Sequence, residues 1–236
     1  MRRRWLHVLA TAAAPLVALA LPSTPAQADP GVVIFPGMEV LQGTNVCTLG
    51  FVDPHRRVAY TAGHCRADGM VRDTGGSFVG SQASFRDNTP DGATIDTNYQ
   101  IADWEAISVA PDAVVNDVLP GGRVLVADSA VAPSPGLPVC HFGVVTGESC
   151  GTIQAVYNGW FTMANGVVSQ KGDSGGPVYF VTPDGRAAIV GMFNSTWGEY
   201  PAAVAWQVVS QQASQDVVSA TSGNLGPVQP ISAPMP

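Results

Sequence analysis

The run Gly172-Asp173-Ser174-Gly175-Gly176-Pro177, inside QKGDSGGPVYF (Gln170–Phe180), places one serine among three glycines, with an acid before it and a proline after the run. Glycines accept φ > 0 and suit a tight turn, so a hairpin turn alone accounts for them. It does not account for a serine presented on that turn beside backbone N–H groups free to point elsewhere. A serine hydroxyl is a poor nucleophile at neutral pH. A catalytic role requires a neighbouring base and a group that orients the base.

Three histidines follow the N-terminal leader region: His55, His64 and His141. His55 in VDPHRRV reads as a solvated loop residue, and His141, between Cys140 and Phe142, reads as structural or surface. His64 in VAYTAGHCRADG stands where an apolar strand runs into Ala62-Gly63-His64-Cys65. Cys65 offers a covalent anchor beside the imidazole, and the small Ala62 and Gly63 leave room around it. The pentapeptide Gly172–Gly176 also fits the G-x-S-x-G turn of α/β-hydrolases, but that fold places its histidine after the serine. No histidine follows Ser174, which excludes it.

Arg2, Arg3 and Arg4, the apolar run Leu6 to Leu21 and Ala26-Gln27-Ala28 together read as an export signal over residues 1–28. The expected mature chain starts at Asp29 with 208 residues, eight basic against 18 acidic, a formal charge of −10. Nucleic acid and anionic membranes are therefore not expected partners. Four cysteines in an exported chain imply two disulfides, and proximity favours Cys47–Cys65 and Cys140–Cys150 among three connectivities. No zinc spacing is present, and no metal or cofactor is expected.

Short runs rich in β-branched residues alternate with turn clusters. They are Val32–Phe35, Val58–Thr61, Ile107–Val109, Val124–Val126, Val167–Val168, Val178–Val181 and Ala188–Phe193. The turn clusters include Thr74-Gly75-Gly76, Thr89-Pro90-Asp91-Gly92 and Pro183-Asp184-Gly185. The pattern predicts an all-β chain. One late helix is predicted over Ala202–Gln212, a junction near Leu119-Pro120-Gly121-Gly122, and a mobile tail over 213–236.

TAGHC and GDSGGP together resemble the histidine and serine boxes of chymotrypsin-type serine proteases. VCHFGVVTGESCGTI (Val139–Ile153) resembles the disulfide loop of the bacterial secreted branch, the streptogrisin and α-lytic protease group. The resemblance implies two six-stranded antiparallel β-barrels, over 29–118 and 119–212, with a C-terminal helix. It implies a secreted serine endopeptidase acting on protein or peptide substrates, with His64 as base and Ser174 as nucleophile. The implied orienting acid is Asp103 in IADWEAISVAPD, with Asp96 in TIDTNYQ as the alternative. Glu105 departs from the family's aspartate box, which carries a small residue there.

The N–H groups of Gly172 and Ser174 are the implied oxyanion hole. Val168 falls at the floor of the primary pocket, and Asn194, Ser195 and Thr196 fall on the strand that pairs with substrate. No acid lies in Phe161–Lys171, so Arg and Lys are disfavoured and an apolar or small side chain is expected. Asp173 needs a partner if buried, and the expected Asp29-Pro30 start lacks the family's Ile/Val-Val-Gly-Gly terminus, which makes Arg123 the candidate. The competing reading is a protease-fold binding protein without useful turnover.

Overall fold

The computed structural model describes residues 31–89, 96–128 and 130–223, with side chains to Asp216. The expected export signal, the turn over 90–92 and residues 224–236 of the expected tail lie outside them.

In chain order the strands are β1 (Val33–Ile34), β2 (Glu39–Gln42), β3 (Asn45–Thr48), β4 (Phe51–Asp53), β5 (Val58–Thr61), β6 (Met70–Arg72), β7 (Phe78–Asp87) and β8 (Asp103–Val109). The second half continues with β9 (Val114–Val115), β10 (Leu125–Val126), β11 (Pro138–Gly143), β12 (Gly147–Val156), β13 (Trp160–Ala164), β14 (Pro177–Val181), β15 (Ala187–Trp197) and β16 (Tyr200–Ala205). One helix, α1, spans Trp206–Gly223.

Two seven-stranded sheets result. The second has the order β10-β15-β14-β11-β12-β13-β16, and an added β15–β16 pairing closes six of its strands into a barrel. The first has the order β3-β2-β6-β7-β8-β5-β4 and stays open as a half-barrel. Its two ends, β3 and β4, are nevertheless consecutive in the chain, separated by Leu49-Gly50, so one bent run serves both edges. The architecture is the expected chymotrypsin-like double barrel, and each sheet carries one member beyond the expected six. The extra members are the divided β3/β4 run and the short parallel strand β10.

Alternation builds the first core. Val40, Leu49, Val52, Ala59, Val71, Val79 and Ile107 are fully buried and pack together. A second cluster, Val139, Ile153, Phe161, Met163, Val178, Val190 and Ala203, fills the closed barrel. A third crosses between the sheets and includes Phe51 and Trp104 from the first, Tyr179, Ile189 and Met192 from the second, and Trp206 and Val209 of α1.

Two expectations are corrected here. Ala202 to Ala205 do not begin the helix but lie in β16, where Ala202, Ala203 and Val204 pair with both β13 and β15; α1 then starts at Trp206 and runs to Gly223, through residues expected to be tail. Barrel closure demands the strand, and that ladder overrides the helix propensity of the alanines. Val167–Val168 forms no strand either. The helix docks back on the first sheet through Trp206, whose ring centroid lies 4.6 Å from Phe51 and 5.2 Å from Tyr60. Trp104 Nε1 donates to Gln212 Oε1 at 2.7 Å, and Arg86 pairs with Asp216 at 2.6 Å.

Glu105 lies in β8 with no exposed surface and accepts from Gln42 Nε2 at 2.5 Å. Burial pushes its carboxyl up from 4.5 to about 7, while Gln42 and the Arg66 charge pull the other way. A carboxyl that ionises at higher pH folded than unfolded contributes fully to stability below about 4.5 and loses that contribution as pH rises through about 7. Glu105→Gln is therefore expected to melt at a higher temperature than wild type above pH 7. The difference should vanish towards pH 4.5, as read by calorimetry across that range.

Candidate active site

His64 sits in a single 3₁₀ turn, Gly63–Cys65, immediately after β5. Gly63 is required there because a Cβ would lie 2.3 Å from the Arg86 carbonyl oxygen and 3.0 Å from Trp104 N. The Cys47–Cys65 disulfide pins this turn to β3, and Cys140–Cys150 joins register partners of β11 and β12, so both expected pairings are present.

Asp103 opens β8 and is completely buried. Its Oδ1 accepts from the His64 backbone N–H at 2.8 Å, and its Oδ2 from His64 Nδ1 at 2.8 Å. The two bonds fix both the position of the residue and the tilt of its ring. Asp96 is exposed and accepts from the Asn98 backbone N–H at 2.9 Å, capping a turn. Geometry thus selects Asp103 over Asp96 as the neighbour of His64. His55 is exposed in its turn. His141 is buried against Phe193 at 4.9 Å between ring centroids, and burial lowers its pKa to about 4 despite the nearby Asp173 charge.

Asn194, expected on a substrate-pairing strand, has a different side-chain role. It is 2% exposed in β15, and its Nδ2 donates to Asp103 Oδ2 and, at 3.3 Å, to Thr89 Oγ1. The carboxylate is therefore held by one residue from each sheet. Nothing in the local sequence around Asn194 marks this contact, since 91 residues separate the partners.

Ser174 is half-buried at the mouth of the same cavity as His64, a space of about 560 Å³. No hydrogen bond joins Ser174 to His64; such bonds are often long before substrate binds and tighten in the complex. The serine turn leaves its donors available. Among the described residues no hydrogen bond takes up the N–H of Gly172 or of Ser174. Gly172 adopts φ +106°, and Gly175, at φ +84°, has no room for a Cβ, which would fall 2.1 Å from Thr61 Oγ1.

Ser169, Gln170 and Lys171 form one wall of the cavity and Phe193 to Thr196 the other, with Ser169 Oγ and Thr196 Oγ1 3.0 Å apart. Asn194, Ser195 and Thr196 line it, and among the described residues no acid does. Val168 does not line it. It is 51% exposed and tied by its backbone to Ser149 Oγ, whereas the residues of this segment that line the cavity are Ser169, Gln170 and Lys171. The count presumes a loop held by a cysteine that is Gln170 here.

The Asp173 expectation is also corrected. Arg123 lies 3.5 Å from Glu148, and Asp173 accepts instead from Val145 N (2.9 Å), Thr146 N (3.2 Å), Thr146 Oγ1 (2.8 Å) and Gln170 N (2.7 Å). Metal-ligating groups in mutual reach among the described residues form two clusters, Cys47-His64-Cys65 and Cys140-Glu148-Cys150. Both spend their sulfurs in disulfides, so neither offers a thiolate.

No family model matches the chain. It is 52% identical over 202 residues, 86% of its length, to two Mycobacterium tuberculosis proteins: the uncharacterized protein MT1863 of strain CDC 1551 / Oshkosh and the uncharacterized protein Rv1815 of strain ATCC 25618 / H37Rv. The match covers 91% of each. The chain belongs to the MT1863/Rv1815 family. Solved structures place the fold of this member among chymotrypsin-like serine proteases. Cellulomonas bogoriensis chymotrypsin superposes with a TM-score of 0.54 at 19% identity, over 77% of this chain and 96% of its own. Thermobifida fusca Protease A gives 0.53 at 21%, over 77% and 97%. A glutamic acid specific serine protease gives 0.50 at 19%, over 78% and 98%. For this chain these likenesses establish the double-barrel fold.

Burial lowers the pKa of His64, but the hydrogen bond and charge of Asp103 outweigh it and hold the imidazole above its ordinary 6.5. An NMR titration should find His64 above that value. In Asp103→Asn the midpoint should fall below the wild-type one, because the desolvation stays and the charge is gone.

Proposed function

We propose that this protein is an exported serine endopeptidase of the streptogrisin and α-lytic protease type. The reading rests on one observation above all: the buried Asp103 carboxylate grips at Nδ1 the imidazole of His64, which lines one cavity together with Ser174.

In the proposed mechanism His64 is neutral at rest. It takes the Ser174 proton as Oγ attacks the scissile carbonyl, and returns it to the leaving amine as the C–N bond breaks. Proton transfer of this kind contributes about 10²–10⁴ in rate. The carbonyl oxygen becomes an oxyanion facing the unpaired N–H groups of Gly172 and Ser174. Water, deprotonated by the same imidazole, then releases the acyl group and regenerates the serine. Asp103 keeps the tautomer and stabilises the imidazolium, and Asn194 holds Asp103 in turn.

The described pocket walls suit neutral or acidic side chains, because among the described residues they carry Lys171 and no acid to pair a substrate Arg or Lys. Export is supported by the leader over residues 1–28 and by two disulfides, which persist in oxidising compartments.

A fluorophosphonate probe should label Ser174, with labelling lost in Ser174→Ala and sharply reduced in His64→Ala. On peptide substrates Asp103→Asn should lower kcat by about 10⁴. The wild-type rate should rise with pH as His64 loses its proton, with a midpoint above 6.5. A folded wild type that is neither labelled nor hydrolytic would favour the binding-protein reading instead.

A further inference from the structure

The 3₁₀ turn that carries His64 ends at Arg66, and this arginine returns to it twice. Its backbone N–H donates to the Gly63 carbonyl at 3.3 Å, and its side-chain Nη1 donates to the same oxygen at 2.9 Å. Nη1 also donates to Asp87 Oδ2 at 2.9 Å, and Cζ lies 4.1 Å from the centroid of the Phe85 ring. Phe85 and Asp87 stand two residues apart in β7 and share one face of the sheet. One side chain stacks under the guanidinium while the other neutralises it.

The anchoring strand is the one that matters for the imidazole. Asp87 is the register partner of Asp103 across β7 and β8, so Arg66 spans from the His64 turn to the position opposite the acid that receives the ring. The Cys47–Cys65 disulfide fixes the same turn to β3, whose Thr48 hydroxyl donates to the Gly172 carbonyl at 3.0 Å. Arg66 fixes it to β7 on the other side. A planar guanidinium can stack by its face and donate at its edge together, which a lysine ammonium cannot.

We propose that Arg66 is a positioning residue of the base: gripped by Phe85 and Asp87, it holds the Gly63 carbonyl and thereby the His64 turn against β7, while its charge and that of Asp87 balance at the imidazole. The proposal rests on the endopeptidase reading only in calling His64 the base. The charged groups about His64 are Asp103 from β8, Asp87 from the end of β7, Arg66 beyond the turn and Lys171 on the cavity wall. Arg86 of β7 is engaged by Asp216, and β3 and β15 bring no charge. Burial apart, Asp103 and Asp87 favour the imidazolium and Arg66 opposes it.

The test follows His64 by NMR titration, and the pH dependence of peptide hydrolysis, in wild type, Arg66→Met, Asp87→Asn and the double variant. Arg66→Met should raise the His64 midpoint and Asp87→Asn should lower it, each by on the order of half a pH unit, the scale of interaction between partly exposed charges. The double variant, again neutral in sum, should return close to the wild-type midpoint. Arg66→Met should also lower kcat about tenfold with KM little changed, the scale of one hydrogen bond. The double variant should stay as slow, because its Gly63 carbonyl is still unheld.

Arg66→Lys keeps the charge and should keep the midpoint, which covers the case in which the methionine variant fails to fold. Coincident midpoints in all variants, or single variants that shift the same way, overturn the charge balance. Wild-type kcat in a folded Arg66→Met overturns the positioning role. A wild type without hydrolysis removes the endopeptidase reading, and the NMR midpoints then decide this inference alone.

Discussion

A carboxylate removed from water must be met by donors, and the burial of Asp103 imposes that demand where the two sheets face each other. Its oxygens are satisfied by the backbone and ring of His64 from the first sheet and by the amide of Asn194 from the second. Loss of either partner leaves a buried charge short of a donor, a costly defect in a low-dielectric interior. The same contact that completes the fold at the seam also orients the imidazole. Stability and geometry are therefore coupled at one residue.

Asp173 solves the same problem differently. Asp103 uses an imidazole, which titrates; Asp173 uses three backbone N–H groups and a hydroxyl, which do not. The serine turn is thus held by donors that carry no titrating proton. Thr48 links the two arrangements, since it follows Cys47 in β3, and Cys47 is bonded to the residue after His64. The His64 turn and the Ser174 turn are tied to a single strand, which limits how far they can drift apart.

The helix extends this logic to the periphery. Trp206 leaves β16 directly into the aromatic cluster with Phe51 and Tyr60, so the last strand of the closed barrel and the open edge of the half-barrel share one apolar plug. Gln212 and Asp216 then reach Trp104 and Arg86 on β8 and β7, the strands on which the Asp103 region rests.

Local sequence carried the double barrel's all-β character, the two disulfide pairings, and His64 and Ser174 as a candidate pair. Each of these is written in short-range signals: β-branched runs between turn residues, cysteines close in the chain, and small residues packed around one functional side chain. What depended on distant segments was not readable. The resemblance already favoured Asp103 over Asp96, but the burial of that carboxylate, the role of Asn194, a contact 91 residues away, and the donors to Asp173, on a loop folded back on the serine turn, lay outside local signals. The start of α1 was misplaced because strand pairing, a non-local force, outweighed the helix propensity of Ala202 and Ala203. Residue identity set which chemistry this chain can perform. Tertiary packing decided which groups are desolvated together, because hydrogen-bond partners and dielectric surroundings are properties of space and not of sequence position.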